Sequence, residues 1–485
     1  MKLRQYILPL CICFCLSLWL PVQTTAAPNS TAHALQSIVY IQASSYNAYA
    51  IDNKGTTWTW GGAGGYGKYA GTGDTYLHSS PVSFPDSTTK FTSIASGSGV
   101  YSSVLTDDGL VYTWGVDDPG DQKGASPVQV QDLKNMTSIA TGEKHFLALD
   151  NTGQVWGWGS NDAGQLDKAT MATMAVVKKP IRLSALHHVK AIASHNNYSI
   201  ALKNDGTLWG WGSIDDSITK FIAPPTLLGD GQHITSMHIN DGRIVATNTK
   251  GQIIYWNLTN AHPKPYILNF KSPVIATDNF VSSYMYFITN DHKVWKIDPV
   301  DSPHSPQPIS GLKDIIQVVS GDGFTLALDK NGIVHSMGIN DGGQLGVGDP
   351  FLKYSPDTPL IVQKAIAIQL NGQQLRMPNP PIFIQNAVYV PVRGLFEKMN
   401  ATVKWEQKNK NDVWVTSGST TIQLTKGKNT SIVNGKEVPL SAPPQYANES
   451  IFIPLRFISE TIGAHVNWNS ADYAVTINTN SSSKQ

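Results

Sequence analysis

Cysteine is nearly absent from this chain. Of 485 residues only three are cysteine, Cys11, Cys13 and Cys15, and all sit in one short apolar stretch near the start. The rest of the sequence can form no disulfide and no thiolate metal site. Charge is sparse as well: Asp, Glu, Lys and Arg make up 15% of the residues, with no basic block of the kind that neutralises phosphates. Nucleic acid is thereby set aside as a partner. The one long apolar run, Ile7 to Leu20, is short for a membrane span. No Gly-x-Ser-x-Gly elbow, phosphate-binding loop or His-Glu-x-x-His helix occurs, so three common catalytic plans have no residues to build on.

The apolar run reads as part of an export signal. Lys2 and Arg4 precede it, and the small residues Thr25-Ala26-Ala27 follow as a cleavage site, giving a signal peptide over residues 1–27. Cleavage removes all three cysteines. Taking Lys2 and Arg4 from 36 basic residues leaves 34 against 35 acidic ones, a net charge of −1. The expectation is a secreted or cell-wall-associated protein of the Gram-positive exported type, monomeric and without a membrane span once the signal is cut.

What the sequence does contain is a repeat. In its clearest copy it runs Ala148-Leu149-Asp150-Asn151-Thr152-Gly153-Gln154-Val155-Trp156-Gly157-Trp158-Gly159, and it returns from Ala201 to Gly212. Looser copies end in Trp58-Thr59-Trp60-Gly61, Tyr112-Thr113-Trp114-Gly115 and Val334-His335-Ser336-Met337-Gly338. The turn position falls at Gly55, Gly109, Gly153, Gly206, Gly251, His292 and Gly332, with spacings of 54, 44, 53, 45, 41 and 40 residues. Such a period belongs to four-stranded propeller blades, and seven copies fit between Ile38 and Val362. The turn needs a positive φ, which glycine supplies. Alternation puts Trp156 and Trp158 on one sheet face, and the Gly between them is expected to leave room for another backbone. One sheet cannot bury both faces alone, so the blades must stack about an axis.

The order apolar strand, Asp-x-x-Gly, Trp-Gly-Trp-Gly, then Asn-x-x-Gly-Gln-Leu resembles the regulator-of-chromosome-condensation repeat. Its tail stands at Asn161-Asp162-Ala163-Gly164-Gln165-Leu166 and, most fully, at Asn340-Asp341-Gly342-Gly343-Gln344-Leu345. The resemblance implies a seven-bladed propeller over about two thirds of the chain. Copies five and six keep one Trp each, Trp256 and Trp295. The family's namesake acts in the nucleus on chromatin and a small GTPase, neither of which an exported chain without a basic tail would meet.

After Val362 the pattern becomes a duplicated α+β unit at a constant offset of 63 residues. Asn371-Gly372 matches Asn434-Gly435; Pro391, Arg393, Glu397, Val403 and Trp405 match Pro454, Arg456, Glu460, Val466 and Trp468. Each half reads as strand, short helix, strand. Pro391 and Pro454 suit the first helical turn, and Asn400 and Gly463 suit left-handed C-terminal positions. Residues 368–478 resemble the copper amine oxidase N-terminal-like domain, whose known setting implies a stalk or surface-association role. Catalysis is not implied: the only Asn-Tyr pair, Asn197-Tyr198, is followed by Ser199, and no His-x-His occurs. The expected layout is a signal peptide over 1–27, a linker over 28–37, the propeller over 38–362 and the duplicated domain over 363–478. Its halves fall near 366–428 and 429–478, and a disordered tail occupies 479–485.

The recurrent tryptophans read as inter-blade core, since they repeat at one position. Residues that break the repeat are the better candidates for function. The blade-one loop from Gly65 to Gly71 adds Tyr66, Lys68 and Tyr69 to a Gly-rich turn, a mix that suits a protein-binding surface. His187, His188 and His195 lack zinc-ligand spacing. Asp215-Asp216 and Asp117-Asp118 lack the ligand ladder of a calcium loop. Quinoprotein blades carry Ala-x-Asp-x-x-x-Gly-x-x-x-Trp, but here Gly153 follows Asp150 after only two residues.

The fold expectation is therefore mainly β: a seven-bladed propeller followed by a smaller duplicated α+β domain. The functional expectation is a non-catalytic binding protein with no cofactor and no metal, recognising an extracellular or envelope protein; protein inhibition of a secreted enzyme falls within it. A carbohydrate or cell-wall binder comes second, and an extracellular enzyme acting on a polymer third. An acidic cluster at the propeller's axis would favour the enzyme; a continuous aromatic patch on one face would favour binding.

Overall fold

The computed structural model describes residues 31–479 apart from 63–69, 73–77, 85–88, 98–100, 116–125, 167–174, 215–220, 230–232, 241, 260–264, 278–283, 299–304, 376, 378–379, 385–386, 406–410 and 448–449. The signal segment therefore lies outside the described residues. Between Ile38 and Ile361 the chain forms seven four-stranded antiparallel sheets, each built from four consecutive strands. At six of the seven junctions the first strands of neighbouring sheets lie side by side, which makes them the inner ones; that of sheet one, Ile38–Ala43, meets Ile315–Ser320 and Phe324–Asp329 of sheet seven. Seven apolar clusters fill the seven junctions, one between each pair of sheets. The result is a closed ring, a propeller.

Each part of the repeat has a physical task. All seven turn positions take positive φ, from 59° at His292 to 83° at Gly55. The aspartate ahead of the turn divides its two oxygens. In the third sheet Asp150 Oδ1 accepts the amide protons of Thr152 and Gln154 at 2.9 and 3.0 Å, and Oδ2 accepts the Trp156 indole N–H at 3.0 Å. Asp52 and Trp58 repeat this at 3.2 Å, as do Asp329 and His335 at 3.3 Å. The first aromatic is thus half-buried and tied to its own turn, while the second, as in Trp60, Trp114, Trp158, Trp211 and Trp256, is buried in the junction with the preceding sheet.

The glycine between the aromatics makes room for a side chain rather than for backbone. A Cβ at Gly210 would stand 2.1 Å from the Tyr198 hydroxyl, and one at Gly157 2.8 Å from Leu166. The next glycine is the one facing backbone: a Cβ at Gly212 would lie 2.2 Å from the Asn197 carbonyl oxygen. The Asn-x-x-Gly-Gln-Leu tail is a self-bonded loop. Asn340 Oδ1 accepts from Leu345 N at 2.8 Å and Gln344 Oε1 from Gly342 N at 2.8 Å. The Gln344 carbonyl then accepts the Trp60 indole N–H of the next sheet at 2.8 Å, as Gln165 does for Trp211 at 2.8 Å.

Ring closure uses no exchanged strand. The strand Ile38–Ala43 belongs to the first sheet and does not complete the last. Contacts across the junction of sheets seven and one do the joining, among them Asp322 N to the Ser45 carbonyl at 3.0 Å and Gly348 N to the Ser79 carbonyl at 2.9 Å. Ile38 N donates to the Gly332 carbonyl at 3.2 Å, the Gln317 side chain brackets Ile41 through 3.0 and 2.8 Å hydrogen bonds, and Trp60 reaches Gln344. Residues 31–37, expected as a linker, are packed. Ala34 and Leu35 are buried, Leu35 N donates to the Val362 carbonyl at 2.9 Å, and His33 stacks on Tyr473 with ring centroids 4.2 Å apart. The N-terminal segment therefore bonds both the ring's last residue and the C-terminal module.

In that module the two copies interlock. The hairpin of the first copy, Ala367–Leu370 and Gln373–Leu375, joins the last strand of the second, Ala474–Thr479, through parallel pairing. The hairpin of the second, Thr430–Val433 and Lys436–Pro439, completes a five-stranded sheet begun by the first. Ala387–Pro391 pairs antiparallel with its counterpart Ser450–Pro454. The helices Val392–Lys398 and Leu455–Thr461 each start one residue after the proline expected inside the first turn, so Pro391 is an N-cap in extended conformation. Asn400 and Gly463 take the left-handed conformation expected after the helices, at φ 61° and 81°.

Gly332→Ala should cost about 2 kcal/mol, because a Cβ there meets Ile38 N at 3.0 Å and the backbone sits at φ +77°. Gly251→Ala shares the positive φ but has nothing within 4 Å, so about 1 kcal/mol is expected. Chemical unfolding of both variants checks this; equal losses would show that the ring-closing junction carries no special weight.

Candidate binding groove

The candidate groove lies at the junction between sheets six and seven. At the second-aromatic position five junctions receive Trp60, Trp114, Trp158, Trp211 or Trp256; the junction between sheets five and six receives Ile297, and that between sheets six and seven receives Met337. A thinner, unbranched side chain leaves volume that an indole would occupy. The outer edge adds a step: the fourth strand of sheet six is only Gln307–Pro308, whereas that of sheet seven runs from Tyr354 to Ile361. Between them opens a groove of about 490 Å³. Tyr284, Tyr286, Lys296, Met337, Ile339 and Tyr354 line it. Tyr354 is 59% exposed, Tyr284 39% and Ile339 36%, while Tyr286 is buried at the base. Lys296 Nζ lies 5.2 Å from the centre of the Tyr284 ring, and exposed Asp322 adds a carboxylate to the wall. Two phenol rims, a cation and an anion around an apolar floor can hold a side chain of mixed character.

The axis is different. A cavity of about 140 Å³ is lined by Ser96, Thr141, Ser194, His195 and His238 among others. None of the seven inner strands contains Asp or Glu. The acidic cluster that would have favoured a polymer-cleaving enzyme is absent from the described axial lining.

Tyr66, Lys68 and Tyr69 lie outside the described residues, as do the Asp117-Asp118 and Asp215-Asp216 pairs. His187 is exposed, His188 holds a left-handed inter-strand position at φ 58°, and His195 faces the axial cavity. Among the described residues no three His, Cys, Asp or Glu side chains gather as metal ligands. The groove escaped the sequence reading, yet part of its signal was present: the second aromatic of the repeat is missing in copies six and seven, at Ile297 and Met337.

A buried imidazole supports the loop face of the third junction. His145 is fully buried; its Nε2 lies 2.8 Å from Ser199 Oγ, which donates in turn to the Gln165 carbonyl at 3.3 Å. His145 Nδ1 is buried without a hydrogen-bond partner. Protonation would place an unsatisfied charged N–H there, and desolvation pushes the pKa down to about 3 despite the opposing charge of Asp162.

With this geometry in place, comparison with known proteins is direct. The family model described as "Regulator of chromosome condensation (RCC1) repeat" matches residues 136–165 and 315–344, and a second model of the same description matches 152–202. The "Copper amine oxidase N-terminal domain" matches 369–477. The chain carries RCC1 repeats and a copper amine oxidase N-terminal domain. Among curated relatives, Protein pim1 of Schizosaccharomyces pombe is 24% identical over 51% of this chain and 47% of its own. The mitochondrial RCC1 domain-containing protein RUG3 of Arabidopsis thaliana is 31% identical over 36% and 42%. The guanine nucleotide exchange factor SRM1 of Saccharomyces cerevisiae is 25% identical over 57% and 59%. The chain spans about half the length of these relatives. The solved yeast RCC1 protein bound to Kap60 is 21% identical over 67% of this chain and 75% of its own, with a TM-score of 0.41; the fold rests on the strand pairing, not on that score. No helix among the described residues is long and apolar enough to cross a membrane.

Because the folded-state pKa of His145 lies below the unfolded value of 6.5, the unfolded chain binds more protons between about pH 6.5 and 3. Stability from this group is present above pH 6.5 and falls as the pH drops through that window. Between pH 7 and 5 the loss should be about 2 kcal/mol. Denaturation of wild type and His145→Gln at both pH values checks it: the variant should lose that share of the slope, and an unchanged slope would contradict it.

Proposed function

We propose that this chain is an exported, non-catalytic recognition protein whose RCC1-type ring binds a protein partner through the groove between sheets six and seven. The copper amine oxidase N-terminal-type module serves as a surface-association unit. The observation that carries this reading is the groove itself, where Met337 stands in for tryptophan and Tyr284, Tyr354 and Ile339 are left exposed around it. Tyrosine contributes large, stiff, amphipathic contact area, and such residues dominate binding energy at protein interfaces. The frame is pre-organised, because every rim of the groove belongs to a sheet pinned at its junctions, so little entropy is lost on binding. The neutral hydroxyl-lined axis supports binding over polymer cleavage. Export is supported by the charged, apolar and small-residue order of the first 27 residues. The mature net charge of −1 removes the electrostatic basis for chromatin binding.

The test is capture of secreted and envelope proteins on immobilised mature protein, repeated with Tyr284→Ala/Tyr354→Ala. A partner bound by wild type should weaken tenfold or more in the double variant, as expected when two rim tyrosines are lost. Undiminished capture by that variant would move the recognition surface elsewhere.

A further inference from the structure

A second surface lies on the C-terminal module, and the inference from it rests on the surface-association role proposed above. The strands Thr402–Trp405, Asp412–Ser417, Thr420–Thr425, Thr430–Val433 and Lys436–Pro439 form one antiparallel sheet in that order. Its inner face carries Val413, Val415, Ile422 and Leu424, all fully buried in the module's core. Alternation turns the residues between them outward. The register lines them up: Lys404 faces Trp414, Trp414 faces Gln423, Gln423 faces Ile432, and Ile432 faces Glu437. Five strands spaced as in any sheet make this row about 19 Å long. Beside it runs a second row, Thr402 to Thr416 to Thr421, and the Asp412–Thr425 pair lies on the other flank, joined by a 2.5 Å hydrogen bond. Trp414 is 36% exposed and Ile432 41%.

We propose that this outer face binds an extended, uncharged polysaccharide chain of β-1,4-linked pyranose rings, with Trp414 as the stacking platform. The chemistry of the face selects that occupant. An exposed indole on the outer face of the sheet can offer a π-face to the axial C–H groups of a pyranose ring. The flanking threonine hydroxyls and the Gln423 amide both donate and accept, which matches the hydroxyls on a sugar's edge. Charges of both signs, Lys404 against Asp412 and Glu437, match neither an anionic polymer nor a phosphate-bearing surface. Only two large apolar side chains stand exposed, too few for the apolar centre of a stable protein interface. A row that crosses five strands suits an extended polymer. This surface is separate from the propeller groove, so one protein can hold a wall polymer and a protein partner together.

Co-sedimentation of the full mature chain with chitin, cellulose and β-1,4-mannan tests this. Wild type should sediment with at least one of the three, and Trp414→Ala should weaken that binding tenfold or more at an unchanged melting temperature. Trp414→Phe should restore most of it, and Gln423→Ala should give an intermediate loss. Tyr284→Ala/Tyr354→Ala should bind as wild type does, which separates this site from the groove. The proposal is overturned if wild type sediments with none of the polymers, or if Trp414→Ala and Gln423→Ala bind undiminished. It is equally overturned if retention vanishes once the polymer is stripped of protein, an outcome that would assign the face to a protein partner.

Discussion

A single backbone hydrogen bond, made at five of the ring's seven junctions, sets the geometry on which the rest is built. The first residue of an inner strand donates its amide proton to the carbonyl of the turn residue in the preceding sheet. Met136 does so to Gly109, Val189 to Gly153, Ile234 to Gly206 and Ile315 to His292, all between 3.1 and 3.2 Å; Ile38 to Gly332 closes the circle at 3.2 Å. The turn must take a positive φ to aim that carbonyl, and the approach is close enough that a Cβ would meet backbone atoms of the next sheet at Gly109, Gly153, Gly206 and Gly332. The turn glycine is therefore required twice, for its own conformation and for its neighbour's position. Aspartate clamps at Asp52, Asp150 and Asp329 fix the first aromatic within its own sheet, and the glutamine loops that receive Trp60 and Trp211 tie those sheets to their neighbours.

A frame fixed at each junction converts one local substitution into a binding surface. With Met337 at the second-aromatic position and a two-residue outer strand on sheet six, a groove opens at this junction while the ring stays closed. The rim residues stand on strands or strand ends rather than on long loops, and this suits recognition with little rearrangement. The N-terminal segment extends the frame beyond the ring, since Leu35 bonds to Val362 and His33 stacks on Tyr473 of the C-terminal module.

Much of this was legible in the residues. The repeat period, the turn positions including His292, and the duplicated C-terminal unit all follow from spacing and turn chemistry, because those are local demands. The burial of the second tryptophan followed from its recurrence. Other features were not legible because they depend on which sheet meets which. The Gly157 and Gly210 positions accommodate side chains, not backbone. The strand at Ile38 stays in its own sheet, and Ala34 and Leu35 are core rather than linker. The groove lies at a junction whose partners are separated by dozens of residues. Its mark in the sequence, methionine at a tryptophan position, gains meaning only once the junction is seen.

The central claim is that a rigid ring presents the groove between sheets six and seven to a protein. The most direct measurement is site-specific photocrosslinking from position 354, with the same crosslinker at exposed Val128 of sheet two as reference. The account predicts a discrete covalent adduct with one protein from position 354 and none from position 128. Equal adducts from both positions, or none from 354 while the partner still binds, would contradict it.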